Sequence, residues 1–356
     1  MERQERFIGC MLGLAIGDAL GFPIEFMNRS EICKIYGKQG VTDFVPELYH
    51  QRIGIYSDDT QMSMAVANAL LASHLDDLES VMRHIRRQFY EWTESDENNR
   101  APGQTCLDAI ANMRRGVHWF SSGDSNSKGS TAVVRVAPIG LIYHGLPARL
   151  IEVARAVSIA THGHPTALAS AIVAAAAVAY LINEQPLEGM LEALCRTLNQ
   201  ESGIMGCRSL MAGYDPLGEQ TQKLKDLEHI LAVEPRAAFD EIGGGWVSEE
   251  AVAAALYCFL RSPNDFRTTV LTAANAGMSD LTTRYNGRCD SDAIACIAGG
   301  LSGAYNGIAG IPKEWVKKIE NSSSLSDLGR LLWVKARTLD SDADASKAGQ
   351  IDASEG

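Results

Sequence analysis

RCDSDAIACIAGGLSGAYNG, residues 288–307, is the stretch of this chain that decides its fold. Its larger apolar residues recur at steps of three and four, which is the period of a helix. They are Ile294, Ile297, Leu301 and Tyr305. Almost every residue between them is small, so other backbones can approach this helix closely. Gly299 and Gly300 would each cost an exposed helix roughly 1 kcal/mol, and close packing is the expected compensation. The stretch predicts a helix at the centre of a helical domain.

Two aspartates, Asp290 and Asp292, stand at the predicted start of this central helix. Asp290 is placed as its N-cap, and Asp292 falls in its first turn. Both carboxylates then project from one helix end, and hard oxygen ligands of this kind suit Mg²⁺ or Mn²⁺. The alternative interpretation is that they only cap the helix and oppose its dipole.

A second acidic helix start, SDDT at residues 57–60, precedes another apolar pattern with the helical period. Capping needs one short acceptor, whereas adjacent aspartates repel each other unless a cation or hydrogen-bond donors compensate. We therefore interpret the two acidic starts as the two sides of one metal site, with simple capping as the alternative.

Two further carboxylates lie near the N-terminus. Asp18 falls inside an apolar helix predicted over residues 8–19 and ended by Gly21 and Pro23. Because an unpaired charge there would be expensive, we expect hydrogen-bond donors beside it and a structural role. Glu25, in the turn that follows, is either an ordinary solvated glutamate or a carboxylate that faces the second acidic start.

Composition excludes several classes of protein. The formal net charge of −12 and the lack of a basic run argue against a nucleic-acid-binding surface. Eight cysteines occur singly, without a C-x-x-C pair, which argues against a disulfide framework or a zinc site and favours a reducing cytoplasm. The N-terminus resembles no signal peptide. Residues 167–182 form the most apolar segment, which is shorter than the roughly 20 residues of a membrane span, so we expect a core helix and no membrane partner.

At least ten helical patterns and no convincing strands predict an all-α fold with one compact domain over residues 1–339. Residues 31–56 are expected to form a long irregular connection, and residues 199–235 are expected to be less regular. The tail at 340–356 has almost no large apolar residue and is expected to be disordered. The loop at 121–134 is rich in small polar residues, so it either cradles an anion with its backbone amides or is simply flexible. In THGHP, residues 161–165, one histidine is expected at a ligand and the other at backbone groups.

Taken together, the motifs resemble the ADP-ribosylglycohydrolase family, which includes the dinitrogenase reductase-activating glycohydrolases. The resemblance covers about residues 6–335. The segments that carry it are GCMLGLAIGDALGFPIEF, YSDDTQM, RAPGQTCL, SKGSTAVVRVAPIGL, THGHP, GGGWVSEEAVAAALYC and DSDAIACIAGGLSGAYNG. Each is modest alone, but their order and spacing together are specific.

The resemblance implies an all-α fold around a dinuclear cleft holding two Mg²⁺ or Mn²⁺ ions. It implies a hydrolase that cleaves the glycosidic bond between ADP-ribose and an acceptor, often an arginine side chain of a protein. By position, the metal ligands are Ser57, Asp58, Asp59, Asp290 and Asp292, and the catalytic carboxylates are Glu25, Asp59 and Asp292. The positions that hold ADP-ribose are Gly103, Gln104, Ser127, Lys128, Gly129, Ser130, Thr131 and His162.

The chemistry of such a bond fits these groups. Its cleavage passes through an oxocarbenium-like state, which nearby carboxylates stabilise, and metal ions lower the pKa of a bound water. A carboxylate such as Glu25 or Asp59 can accept the proton of that water. The pyrophosphate is expected on the backbone amides of the loop at 127–133, with Lys128 and Arg135 as the nearby cations.

The chain departs from the family pattern at three points. Ala293 follows Asp292 where the family usually has a serine or threonine that supplies a metal ligand, so one ion is expected to bind more weakly unless water or Ser291 substitutes. Ala101 stands where the nitrogenase-associated members have an acidic residue facing the acceptor arginine. The loop before Arg135 also carries fewer glycines.

The alternatives are a catalytically impaired relative that binds ADP-ribose or a protein partner, and a hydrolase of another ribosyl bond. The polar insertion at 277–289 is expected to act as a lid or to obstruct the cleft.

Overall fold

A computed structural model describes residues 1–47, 50–204, 216–279 and 285–352, with the backbone alone for 199–204, 216–221, 285 and 340–352. Over these residues the protein contains α-helices, short 3-10 helices and isolated β-bridges, and no strand. The all-α prediction is confirmed. The α-helices are α1 (Arg3–Gly21), α2 (Arg29–Tyr36), α3 (Asp58–Ala72), α4 (Leu78–Glu94), α5 (Gln104–Arg114), α6 (Trp119–Ser122), α7 (Thr131–Val134), α8 (Ala137–Ile142), α9 (Pro147–Ile159), α10 (Pro165–Ile182), α11 (Met190–Ile204), α12 (Pro216–Ile230), α13 (Pro235–Ile242), α14 (Ser248–Arg261), α15 (Phe266–Ala274), α16 (Ser291–Asn306), α17 (Lys313–Lys318) and α18 (Ser322–Asp352).

Helices α1 and α16 form the centre of the fold as an antiparallel pair whose glycines lie against the opposite backbone. A Cβ atom on Gly17 would lie 1.9 Å from the Ala295 oxygen, and one on Gly13 would lie 2.2 Å from the Gly299 oxygen. Towards the other end of the pair, a Cβ on Gly9 would lie 2.4 Å from the oxygen of Gly303. The small residues noted in both segments therefore allow backbone contact, which confirms the prediction of a central, closely packed helix.

Other helices surround this pair. Helices α15 and α18 pack against α1, while α14 and α15 pack against α16. Two apolar segments, Arg3–Ile24 and Pro165–Ile182, are long enough by length and composition to cross a membrane, but 100% and 83% of their apolar windows are buried inside the fold. Burial in the core accounts for their composition.

Two segments predicted to be irregular contain helices. Helix α2 begins with a capping box, in which the Asn28 Oδ1 accepts a hydrogen bond from the Glu31 backbone at 3.1 Å and the Glu31 Oε2 accepts one from the Asn28 backbone at 2.9 Å. Only Ile32 of α2 is buried, so this segment has no repeated apolar pattern from which a helix could be predicted. Helix α12 lies within 199–235, the segment that was predicted to be less regular. Residues 205–215 lie outside the described residues.

The final helix, α18, extends to Asp352. The domain boundary at 339 and the disorder of the 340–356 tail remain predictions. The insertion at 277–289 lies only partly within the described residues, because 280–284 fall outside them.

Candidate metal and substrate site

The antiparallel packing of α1 and α16 brings the end of the first helix to the start of the second. Glu25 follows a 3-10 turn, Phe22–Ile24, directly after α1, and Asp290 and Asp292 open α16. One carboxylate oxygen from each of Glu25, Asp290 and Asp292 lies within 4.8 Å of the other two. Three carboxylates at such spacing can share one divalent cation.

The two acidic helix starts are not explained by capping. Asp290 occupies the N-cap position of α16, but its side chain makes no capping hydrogen bond. Its Oδ2 accepts a hydrogen bond from the Ser130 hydroxyl at 2.6 Å instead. At α3 the cap is Ser57, whose Oγ accepts a hydrogen bond from the Asp59 backbone at 3.2 Å. Capping thus requires none of the aspartate carboxylates.

Asp18 has the donors expected for a buried carboxylate. Its Oδ1 accepts a hydrogen bond from the Ser57 backbone at 2.9 Å. Its Oδ2 accepts two more, from the Thr60 backbone at 2.9 Å and the Thr60 hydroxyl at 2.6 Å. The side chain is fully buried. Asp18 therefore fixes the first turn of α3 against α1, and this carries Asp58 and Asp59 to the carboxylates of α16.

The carboxylates of the two acidic starts repel one another. Burial is the largest cause that raises the pKa of Asp58 well above its usual value, and repulsion by Asp292 is the next. For Asp59, burial is followed by repulsion from Asp58 and then Asp292. The pKa of Glu25 is likewise raised well above its usual range, first by burial and then by repulsion from Asp292, Asp290, Asp58 and Asp59. A bound cation would offset this repulsion.

Hydrogen bonds moderate the effect at Asp290. Burial raises its pKa from 3.8 to about 6, while hydrogen bonds involving Asp292 and Ser130 act in the opposite direction. For Asp18, burial and then repulsion by Asp292 raise the pKa to about 7, against the hydrogen bonds from Thr60 and Ser57. Without a cation, the cluster would therefore hold protons near neutral pH.

The residues present fit a divalent metal. Among the described residues, Glu25 Oε2 and Ser291 Oγ are buried and have no hydrogen-bond partner. An unpartnered buried carboxylate oxygen is costly, and a cation is the usual compensation. The oxygen donors are hard, as Mg²⁺ and Mn²⁺ prefer. Ala293 is buried and offers only a methyl group, whereas the Ser291 hydroxyl is available nearby in the chain.

The loop proposed to hold phosphates lies beside the carboxylates, against the turn that begins α14. The Ser130 backbone donates to the Trp246 oxygen at 3.3 Å, and Ser248 donates to the Lys128 oxygen from its backbone at 2.8 Å. Over the part of the chain that the structure describes, the backbone N–H groups of Gly129 and Thr131 find no protein acceptor. They are the donors in this loop that an anion can use.

His162 lies next to this loop. Its Nε2 would be 3.1 Å from a Cβ atom on Gly129. Burial, followed by the nearby charge of Arg135, lowers the pKa of His162 to about 3, so its ring is neutral at pH 7. His164 instead caps α10, where its Nδ1 accepts a hydrogen bond from the Thr166 backbone at 3.2 Å. His164 thus satisfies a backbone group, as expected of one histidine, and the contact of His162 with a ligand stays a prediction.

Of the remaining predicted positions, Gly103 joins the carboxylate cluster directly, because its backbone donates to Asp58 Oδ2 at 3.3 Å. The Gln104 side chain donates to Asp108 at 2.8 Å on the exposed side of α5. Arg135, suggested as a cation for the phosphates, is fully buried and donates to the Val157 oxygen at 2.9 Å and to the Thr161 hydroxyl. Its role is structural.

Comparison with known proteins identifies the family of this chain. A family model described as ADP-ribosylglycohydrolase matches residues 1–342. The chain belongs to the ADP-ribosylglycohydrolase family. The resemblance found in the sequence motifs is therefore confirmed, and membership supports the prediction that the protein is a glycohydrolase.

The ADP-ribosylglycohydrolase match extends to individual relatives. An uncharacterized protein of Archaeoglobus fulgidus is 32% identical over 335 residues, which cover 93% of this chain and 96% of that protein. An ADP-ribosylarginine hydrolase of Pseudomonas putida is 27% identical over 344 residues, with 95% and 81% covered. A solved structure described as an ADP-ribosylglycohydrolase-related protein complex has a TM-score of 0.69 at 24% identity, covering 94% of this chain and 99% of that chain. The last similarity shows the fold.

Two features of this ADP-ribosylglycohydrolase were missed from the sequence. The rings of Phe26 and Trp246 stack with centroids 5.1 Å apart, directly beside Glu25. Lys128 forms an ion pair with Glu249 at the start of α14. Both pairs join residues far apart in the chain, and neither carries a local signal.

Proposed function

We propose that this protein hydrolyses the glycosidic bond that joins ADP-ribose to a protein side chain, using Mg²⁺ or Mn²⁺. The observation that carries the proposal is the set of carboxylate oxygens of Glu25, Asp290 and Asp292 within 4.8 Å of one another, with the Glu25 Oε2 buried and unpartnered among the described residues. Family membership supports the ADP-ribosyl substrate. The ADP-ribosylarginine hydrolase among the relatives supports an arginine-linked substrate as the first to test.

Two cations would be held by Ser57, Asp58, Asp59, Asp290 and Asp292. They would supply the positive charge that keeps these carboxylates ionised and that polarises a water molecule and the ribose hydroxyls. The chain's own carboxylates stabilise the positive charge that develops at the C1″ carbon as the bond to the acceptor breaks. Asp59 and Asp292 are the groups assigned to this role.

Glu25 is assigned the proton transfer. Burial and the surrounding carboxylates raise its pKa, which makes the ionised Glu25 carboxylate a stronger base towards a proton of water. The same proton can then pass to the departing nitrogen or oxygen of the acceptor, which leaves as a neutral group. The oxygen of the water forms the new bond to C1″, and ADP-ribose is released.

The rest of ADP-ribose is assigned to the loop at 127–131 and to its neighbours. The N–H groups of Gly129 and Thr131, which have no acceptor among the described residues, are assigned to the phosphates, and the neutral ring of His162 lies beside Gly129. Gly103, whose backbone donates to Asp58, is assigned to the side nearest that carboxylate, and Gln104 follows it at the start of α5. A protein carrying ADP-ribose is the proposed partner, and a reducing cytoplasm is the proposed location, supported by the free state of the cysteines in the described residues.

The alternative of a catalytically impaired relative is not favoured. Ala293 removes one hydroxyl, but the four aspartates Asp58, Asp59, Asp290 and Asp292 are present and buried, with the half-buried Glu25 beside Asp290 and Asp292. The single missing ligand therefore argues for a weaker ion and does not argue for an inactive protein.

The test is release of ADP-ribose from arginine-linked and serine-linked protein substrates, with Mn²⁺, Mg²⁺ or EDTA. We expect turnover that needs a divalent cation. Glu25→Gln should lower turnover by about 100-fold or more, while Glu91→Gln, an exposed carboxylate of α4 paired with Arg87, should leave it unchanged. No release from either substrate at saturating Mn²⁺ would overturn the proposal.

A further inference from the structure

The only cation within the loop at 127–131 is Lys128. Its Nζ forms an ion pair with Glu249 Oε1. The Lys128 side chain is 29% exposed, whereas that of Glu249 is 7% exposed. The second oxygen of Glu249 is buried and has no hydrogen-bond partner among the described residues. A largely buried carboxylate thus depends on one lysine for its compensation.

The position of the loop does not depend on this ion pair. Ser248 donates from its backbone to the Lys128 oxygen at 2.8 Å and from its hydroxyl to the Gly129 oxygen at 2.8 Å. The Ser130 backbone donates to the Trp246 oxygen at 3.3 Å. These hydrogen bonds fix the loop through its main chain, so the ion pair contributes charge compensation and not the loop's shape.

Moving Lys128 to a phosphate would leave Glu249 charged, buried and unpaired. Stranding one partner of a buried ion pair is strongly unfavourable. The stranded carboxylate would also lie beside the bound phosphates and repel them. The gain from one exposed lysine–phosphate contact would therefore be offset by the loss at Glu249.

From these contacts we propose that Glu249 is a specificity-determining residue that neutralises Lys128, so that the loop binds the diphosphate through backbone N–H groups and not through the lysine charge. This inference rests on the proposed function, because it concerns how ADP-ribose is held. A neutral loop selects its ligand by the geometry of the N–H donors. A lysine without this partner would attract phosphate compounds in general, because the attraction of a point charge does not depend on the geometry of the ligand.

The experiment is calorimetric titration of ADP-ribose, at low and high salt, into the wild type, Lys128→Met, Glu249→Gln and the double variant. Lys128→Met should weaken binding roughly tenfold, or about 1.4 kcal/mol, because Glu249 is stranded. The double variant should recover to about the wild-type affinity. Glu249→Gln should bind several-fold more tightly at low salt and lose that advantage at high salt, because a released lysine charge is screened.

A direct contact between Lys128 and the phosphates would give a different order of ADP-ribose affinities. If its ammonium contacts phosphate directly, the double variant remains as weak as Lys128→Met, and this result overturns the inference. Should Lys128→Met fail to fold, the comparison of the double variant with the wild type decides alone. Lys318→Met, which removes the same charge from an exposed pair with Asp43, is the matched control.

Failure of the proposed function is distinguishable. A wild type that binds no ADP-ribose would overturn the proposed function and this inference with it. A wild type that binds, with a double variant that does not recover, overturns this inference only.

Discussion

Alanine substitutions at two glycines of the central helix pair are expected to have opposite effects on stability. Gly17 of α1 lies against the backbone of α16, where a Cβ would be 1.9 Å from the Ala295 oxygen. Gly300 of α16 has more room, because its nearest neighbours would be the Leu14 Cβ at 3.5 Å and the Cys10 Sγ at 3.9 Å. The two substitutions add the same methyl group to the same kind of helix.

The expected magnitudes follow from these distances. At Gly17 the obstructing atom is backbone, so the helices would have to separate by about 1.5 Å to reach an ordinary contact of 3.4 Å. Overpacking of this severity costs about 3 kcal/mol, and the better helix propensity of alanine returns about 1 kcal/mol. Gly17→Ala should therefore lose about 2 kcal/mol, whereas Gly300→Ala should gain about 0.5–1 kcal/mol.

Urea unfolding followed by circular dichroism measures both free energies of unfolding, provided that the slopes of the wild type and the variants agree. Gly17→Ala should also bind Mn²⁺ more weakly, because it separates the helices that carry the carboxylates. The reasoning is refuted if Gly17→Ala is as stable as Gly300→Ala, since that outcome would mean that the backbones are not in contact.

Three other predictions concern the carboxylates. Treatment with EDTA should leave a protein that is more stable at pH 5 than at pH 8. The reason is that the folded-state pKa values of about 7 for Asp18 and about 6 for Asp290 exceed the usual 3.8. The stability that protonation of these two groups contributes is present at low pH and is lost as the pH rises through 6–7. Thermal melts should show that added Mn²⁺ removes the decline, and a flat profile without metal would contradict the account. Ala293→Ser should raise Mn²⁺ affinity about tenfold in calorimetry, and no gain would mean that another group already fills this ligand position. Asp18→Asn has one acceptor oxygen where two are needed by Ser57 and Thr60, so it should lose about 2 kcal/mol in urea unfolding; unchanged stability would show that Asp18 does not hold α3.

The central helix pair and its acidic ends could be predicted because their signals are local. The apolar period and the small residues between its members are visible within one stretch, and they defined α16 and its two aspartates. Asp18 was recognised because a charge inside an apolar helix needs donors, and Ser57 and Thr60 provide them. The cost of an unpaired buried charge thus predicted that donors lie beside Asp18, but not which residues supply them.

Other features depend on information that one stretch does not contain. Asp290 stands at the predicted N-cap, yet its carboxylate turns to Ser130, 160 residues away in sequence. Lys128 was assigned to the substrate, and its pairing with Glu249 appears only in three dimensions. Helix α2 was missed for a different reason, since its capping box was present but its single buried residue gave no apolar pattern.

The pairing of α1 with α16 has a consequence for synthesis. Helix α1 leaves the ribosome long before α16 and is buried along nearly its whole length in the folded protein, while its main partner ends at Asn306. The residues between the two helices must therefore be translated before the apolar surface of α1 is covered. During this interval nascent chains are prone to associate. We expect a fragment that stops before α16 to aggregate or to be captured by chaperones, and release of that fragment as a soluble monomer would argue against this order of events.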